Sequence, residues 1–165
     1  MSLPDAELLL ADLAAQMRPH MTPDTALVGL HSGGVWVAQR LHALLGLAQP
    51  PGALDVSFYR DDYAQRGLSR DARRSSLPFE IEGRPLVLVD DVLHTGRTVR
   101  AALNELFDYG RPARVELAVL VDRGGRQLPV AATYCATRYA PPAGSRVKLV
   151  QDDGRLALRL VQDQE

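Results

Sequence analysis

The sequence predicts an α/β protein with a mostly parallel central sheet and helices on both faces. Two observations carry that expectation. Runs rich in Val and Leu recur at residues 26–30, 86–89 and 115–121, the last interrupted only by Glu116, each reading as a strand buried on both sides. The first two give way, through a short loop of small and polar residues, to apolar side chains at helical spacing. These are Val35, Ala38, Leu41 and Leu45 after the first run, and Val99, Ala102, Leu103 and Leu106 after the second. Strand, loop and helix in this alternation are the units of a parallel sheet, whose ligands bind outside the carboxyl ends of the strands.

Taken in chain order, residues 2–18 read as an amphipathic helix. Ser2 is its expected N-cap, Asp5 and Glu7 fall in the first turn, and Leu9, Leu10, Leu13 and Met17 form the apolar stripe. Pro19 and Pro23 bracket its end. The strand at 26–30 passes through His31-Ser32-Gly33-Gly34 into a second helix, closed by Gly46. A Pro-rich connector, Gln49-Pro50-Pro51-Gly52, leads to a strand expected over 54–59. Residues 60–76 are polar, with Arg60, Arg66, Arg70, Arg73 and Arg74 and almost no core-forming side chains. A loop this long in a compact domain is usually functional or disordered. Residues 77–81 alternate like a strand, so the loop reads as the tip of a β-hairpin arm. A turn at Glu82-Gly83-Arg84-Pro85 enters the central strand, and the helix that follows it ends at Gly110, with Pro112 beyond. Further strands are expected at 115–121 and 132–137. Alternation at 147–150 and 156–161 around Asp152-Asp153-Gly154 predicts a closing hairpin.

Composition narrows the setting. The 165 residues suit one domain with a real core, and the net charge of −1 gives no global argument for nucleic acid or an anionic membrane. Lys148 is the only lysine, every other basic side chain apart from histidine being arginine, which suits bidentate phosphate contacts. Cys135 stands alone, which excludes an internal disulfide and fits a reducing compartment. With no basic, apolar leader and no run approaching a membrane span, the expectation is a cytoplasmic protein away from membranes.

Chemistry concentrates in residues 86–100. The apolar strand ends in Asp90-Asp91, and Thr95-Gly96-Arg97-Thr98 opens the helix. Gly96 lets backbone N–H groups turn inward, Thr95 and Thr98 add hydroxyls, and the helix dipole adds partial positive charge, which together make a phosphate cup. Asp90 and Asp91 carry the wrong charge for that cup. They suit a ribose diol, or a metal held through water. The loop His31-Ser32-Gly33-Gly34 repeats the strand–loop–helix geometry and offers a second anion site.

The string of apolar strand, Asp-Asp, three residues and Thr-Gly-x-Thr resembles the phosphoribosyl pyrophosphate (PRPP) signature of type I phosphoribosyltransferases. Ser57-Phe58-Tyr59-Arg60-Asp61-Asp62, residues 87–101, Asp108-Tyr109-Gly110-Arg111-Pro112 and residues 117–124 narrow the likeness to the PyrR family. Its members are bifunctional pyrimidine operon regulators and uracil phosphoribosyltransferases, and the likeness runs over about 28–130. The resemblance implies the type I phosphoribosyltransferase fold as a single domain over 1–165. A flexible arm would cover about 59–80 and a small hood about 122–146 plus the C-terminal strands. It also implies transfer of ribose 5-phosphate from PRPP to uracil, giving UMP and pyrophosphate, with Mg²⁺ accompanying PRPP. Regulation through the pyr mRNA leader and a homodimer or larger homo-oligomer would go with it.

Carried over residue by residue, Asp90 and Asp91 would be the catalytic carboxylates on the ribose, touching a metal only through water. Val92, Leu93, His94, Thr95, Gly96, Arg97 and Thr98 would complete the PRPP and 5-phosphate site. Ser32, Gly33 and Gly34, with Arg60, Arg73 and Arg74 of the arm, would take the pyrophosphate. His94, Asp122 and Arg123 would face the base. Three departures stand out. Many family members have Thr-Arg-Gly where this chain has Ser32-Gly33-Gly34. A Gly-Lys pair near the base pocket aligns with Ala136-Thr137. Polar groups on the first helix of RNA-binding members align with Ala11 and Ala15. Two alternatives follow: an RNA-binding attenuator or UMP sensor with weak or no transferase activity, and a purine-base transferase. The second is raised by His94, at the position where some purine-using relatives place a general-base Asp.

Overall fold

In the computed structural model, which describes residues 2–56 and 75–164, five strands form one wholly parallel sheet. They are β1 (Ala26–Leu30), β2 (Gly52–Leu54), β3 (Pro85–Leu93), β4 (Arg114–Asp122) and β5 (Tyr134–Arg138), in the order β2-β1-β3-β4-β5. Among the described residues three α-helices accompany them: α1 (Ala6–Met17), α2 (Gly33–Leu45) and α3 (Arg97–Tyr109). A separate antiparallel hairpin, β6 (Ser145–Asp152) and β7 (Arg155–Gln162), ends the chain.

The period-two geometry of the strands sorts the core into two layers. Along β3, Val87 and Val89 face α1, α2 and the β6–β7 hairpin, together with Leu13, Met17, Leu41 and Leu149. Leu86 and Leu88 face the other way, with Val28, Leu54 and the α3 residues Val99, Ala102 and Leu106. Both sheet faces are therefore covered, which is why β1 and β3 read as unbroken apolar runs. Each of the fully buried Val, Leu and Met side chains contributes roughly 1.5–3 kcal/mol relative to exposure.

Several elements differ in extent from the sequence reading. The first helix begins at Ala6, not near Ser2, and its N-cap is Asp5, whose carboxylate accepts the Glu7 N–H at 2.8 Å. Pro4 explains the shift, since it biases the residue before it toward extended backbone and leaves Asp5 as the first side chain able to cap. The expected stripe Leu9, Leu10, Leu13 and Met17 is buried. In α2, Val37 with Ala38 and Leu41 forms the buried side, and Val35 and Leu45 are half-buried; Gly46 caps it at φ 63°.

The strand expected over 54–59 begins and ends earlier, at Gly52–Leu54, and 57–59 lie outside the described residues. Most of the expected arm, with Arg60, Arg66, Arg70, Arg73 and Arg74, also lies outside them. Residues 77–81 alternate in burial as expected but form no strand; a single antiparallel bridge joins Ser76 to Ala53. Pro78 has no N–H to give a ladder.

Asp90 and Asp91 do not end β3, which pairs on to Val92↔Val121 and Leu93↔Asp122. The strand over 132–137 sits slightly later, at Tyr134–Arg138. The closing hairpin turns at Asp153 (φ 49°) and Gly154 (φ 77°), the positive pair that a two-residue type I′ turn needs. No helix among the described residues is long and apolar enough to cross a membrane.

Candidate active site

The strand order makes β1 and β3 neighbours whose following helices leave on opposite faces, α2 on one and α3 on the other. Beyond the carboxyl ends of such a pair the helices diverge and open a crevice. Here the crevice is a cleft of about 340 Å³. From β3 it receives Asp90, Asp91 and Val92; from the α2 side His31, Ser32, Gly33 and Trp36; from α3 Thr98. The fourth wall is β6, through residues 146–149.

Local sequence explains why the parts can meet. At the β1–α2 junction, a Cβ on Gly29 would stand 2.6 Å from the Gly34 carbonyl oxygen, and one on Gly34 would overlap the Val89 carbonyl. A Cβ on Gly33 would overlap the Asp91 carboxylate. Three glycines thus let the first turn of α2 lie against β1 and β3, with its N–H groups beside the carboxylates. The His31–Ser32 peptide is cis. At the β3–α3 junction, Gly96 is the N-cap at φ 94°, and a Cβ there would stand 3.2 Å from Val130. Thr95 Oγ1 accepts the Arg97 N–H at 3.2 Å, so the hydroxyl caps the helix that the glycine cannot.

Asp90 is buried and Asp91 half-buried. The Asp90 Oδ1 accepts the N–H of Asp91, and the Asp91 Oδ1 accepts that of Val92, each at 2.9 Å. These local bonds orient both carboxylates, whose oxygens are of the kind that accept from hydroxyl donors. Among the described residues no group of three His, Cys, Asp or Glu side chains is placed to hold a metal. Two adjacent carboxylates suit Mg²⁺ carried in by a diphosphate, because that ion keeps its waters and binds through one or two carboxylates plus phosphate.

The residues expected at the base lie beside this cleft rather than in it. Asp122 and Arg123 line a second depression of about 420 Å³ with Gly124, Arg126, Arg138 and Tyr139. Asp122 is already engaged: its carboxylate accepts Arg126 Nη2 at 2.6 Å and the Gly124 N–H at 2.9 Å. The Arg126 bond, followed by the Gly124 N–H, holds this carboxyl below its usual range against the opposing effect of burial. His94 is exposed, and a Cβ on Gly125 would stand 2.9 Å from its Nε2. Partial desolvation first, and then the charges of Arg123 and Arg126, lower the imidazole pKa, so it is neutral at pH 7. Arg97, which the sequence places in the phosphate cup, turns its Nε to Gln127 Oε1 at 2.8 Å.

Trp36, Arg146 and Lys148 were not anticipated at the site. Trp36 lies off the Val35, Ala38, Leu41 and Leu45 stripe of α2 and is half-buried, and Arg146 and Lys148 alternate with Val147 and Leu149 on a strand some 50 residues beyond the signature. The alternation signals their exposure; nothing local signals what they face.

A parallel sheet carrying an acid pair and two helix N-termini at one switch point defines a phosphoribosyltransferase. Residues 2–140 match the phosphoribosyl transferase domain family, and the chain belongs to it. Within it the chain belongs to the PyrR family. It is 55% identical over 152 residues to the bifunctional protein PyrR of Ralstonia nicotianae, covering 90% of this chain and 87% of that one. It is 52% identical over 153 residues to the same protein of Pseudomonas entomophila, with 90% and 89% covered. Solved structures agree on the fold. A hypoxanthine phosphoribosyltransferase from Trypanosoma cruzi matches with TM-score 0.66 at 20% identity, over 94% of this chain and 92% of that one. One from Staphylococcus aureus matches with TM-score 0.65 at 19% identity, over 86% and 76%.

Proposed function

We propose that the protein transfers ribose 5-phosphate from PRPP to uracil, forming UMP and pyrophosphate, and regulates expression of pyrimidine biosynthesis genes. The observation that carries the transferase reading is the single cleft shared by Asp90, Asp91, the Ser32–Gly33 turn and Thr98. In that reading the C1–diphosphate bond breaks, a bond from C1 to a uracil nitrogen forms, and the uracil proton leaves. Asp90 and Asp91 hold the ribose hydroxyls and stabilise positive charge developing at C1. The cup of residues 92–98 holds the 5-phosphate at the α3 N-terminus. Ser32, Gly33 and Gly34 offer N–H groups to the departing diphosphate, with Arg60, Arg73 and Arg74 closing over it. Mg²⁺ bound with the substrate, facing Asp90 and Asp91 through water, would neutralise diphosphate charge. Neutral His94 contacts the base or ribose, with Arg123 near it, and the hood over 122–146 encloses that end.

The transferase test is UMP formation from uracil and PRPP with Mg²⁺, using the paired Asp90→Asn and Asp91→Asn variant as blank. Turnover above that blank is expected, and equal rates would refute the reading. Hypoxanthine, guanine, xanthine and adenine as competitors test the purine alternative.

Regulation through the pyr mRNA leader is the second part of the proposal. Ala11 and Ala15 are exposed on α1 and offer no polar groups, so any contact has to come from arginines elsewhere. Of these, Arg114, Arg126 and Arg146 already face Glu116, Asp122 and Asp163. Salt-dependent leader binding that rises with UMP is expected; no binding at low salt would end the attenuator reading. The lone thiol of Cys135 fits work in the cytoplasm. A homodimer is the proposed assembly.

A further inference from the structure

The cleft has a charge problem of its own. Its β3 wall brings two carboxylates, Asp90 and Asp91, yet in the proposed reaction it receives a diphosphate. The α2 turn supplies N–H groups but no cationic side chain, since Gly33 has none and its Cβ position is filled by the Asp91 carboxylate. The lysine and arginine side chains in the cleft lining both come from β6: Arg146 and Lys148. Their placement is imposed by the core. Ser145, Val147 and Leu149 are buried, so the alternate residues Arg146 and Lys148 must take the other face, and a one-residue slip would expose the apolar set. The two cations are not equivalent. Arg146 Nη1 lies 3.5 Å from Asp163 Oδ1, whereas no ion pair engages Lys148 among the described residues.

We propose that Lys148 is a substrate-binding residue that contacts the diphosphate of PRPP across the cleft from the Ser32–Gly33 turn. The inference rests on the transferase reading above. An ammonium on a flexible stem suits a diphosphate, which changes position as its bond to C1 breaks. A charge-assisted contact of this kind is made more strongly to the departing diphosphate than to water-exposed neighbours.

Two features of the chain make the test direct. Lys148 is its only lysine and Trp36, in the same cleft, its only tryptophan. Amine acetylation of the folded protein therefore reports one ε-ammonium, read as the peptide mass containing residue 148. Trp36 fluorescence reports ligand entry. Pyrophosphate with Mg²⁺ is expected to slow acetylation at Lys148 by about fivefold or more, and Lys148→Gln to raise the KM for PRPP about tenfold. The KM for uracil should stay within about twofold and Lys148→Arg should recover most of the loss, which a merely structural role would not do. Arg159, opposite Lys148 in the hairpin register, is the control, and Arg159→Gln should leave the PRPP KM unchanged. If pyrophosphate fails to protect Lys148 and Lys148→Gln keeps its PRPP KM while the wild type turns over, Lys148 is a surface lysine and the transferase reading stands. If the wild type neither turns over nor shows a Trp36 response to PRPP, the transferase reading falls and this inference with it.

Discussion

Arg126 and Asp122 form an ion pair at 2.6 Å that ties together three separate segments. From the same guanidinium, Nη1 donates to the His94 carbonyl at 2.9 Å and Nε to the Val130 carbonyl at 2.8 Å. The end of β4, the start of the phosphate cup and the loop packed on Gly96 thus share one anchor. Arg126→Gln should cost about 1–2 kcal/mol in urea unfolding, since the pair is only partly exposed and two carbonyl acceptors lose their donor. It should also raise the His94 pKa toward its ordinary value, because one nearby positive charge disappears. An NMR titration of the His94 ring checks this; an unchanged midpoint would mean that burial and the Arg123 charge set it without Arg126.

Glu105 gives a pH prediction of unusual sign. It is 8% exposed on α3, Oε1 lies 3.3 Å from the Ser75 hydroxyl, and Oε2 has no hydrogen-bond partner among the described residues. Burial first, and then the charges of Asp55 and Asp108, raise its carboxyl pKa despite the Ser75 bond. Above the ordinary carboxylate range the unfolded chain has released this proton while the folded chain still holds it. Stability from this group therefore falls as pH rises from the ordinary pKa to the folded one. Glu105→Gln removes that dependence and should stabilise the protein by about 1 kcal/mol at neutral pH, with little change near pH 4. Urea midpoints across that range test it.

How much of this was legible in the chain depended on whether the cause was local. β1 and β3 announce themselves because both their faces are covered, and the type I′ turn is spelled by Asp153-Gly154. Asp90, Asp91 and Ser32–Gly34 can be found because strand–loop–helix strings place them at strand ends, whatever the rest of the fold does. Other features depend on distant partners. β3 runs through its acid pair because β4 offers a ladder as far as Asp122. Asp122 reads as a base contact from its strand-end position, and its partner Arg126 shows only in the fold. Lys148 becomes part of the cleft only because the hairpin packs on the α1 side of the sheet.

One carboxylate on α1 ties the helix to both α2 and β7. Both Glu7 oxygens meet the Arg40 guanidinium of α2, and Oε1 also accepts the Leu156 N–H of β7 at 3.0 Å. The Arg40 bond, with the Leu156 N–H, lowers the Glu7 pKa against the opposing effect of burial. A depressed carboxyl contributes its full stability above the unfolded pKa and loses it as pH falls through the folded one. Glu7→Gln should cost about 1 kcal/mol at neutral pH, discounted for the solvent that reaches Arg40, and nothing once the wild-type carboxyl is protonated. Denaturant midpoints of the two proteins should converge in acid; a constant gap would assign the loss to packing.

Gly33 and Gly34 are neighbours whose alanine variants should fail in different ways. At Gly34 the added methyl meets the Val89 carbonyl oxygen and stands 3.0 Å from the Asp90 Cα, all backbone of the central strand. Nothing there can yield without moving α2 off β3, so Gly34→Ala should lose about 1–3 kcal/mol of stability, and activity with it. At Gly33 the methyl meets the carboxylate end of Asp91, a side chain that can rotate away. The fold should then survive with a loss below about 1 kcal/mol, but Asp91 would leave its bond to the Val92 N–H and its place in the cleft. Gly33→Ala should therefore lower kcat with little change in urea midpoint, while Gly34→Ala lowers the midpoint itself. Equal stability losses at both positions would mean that Asp91 is held as firmly as backbone, and that its orientation is fixed by more than the Val92 N–H.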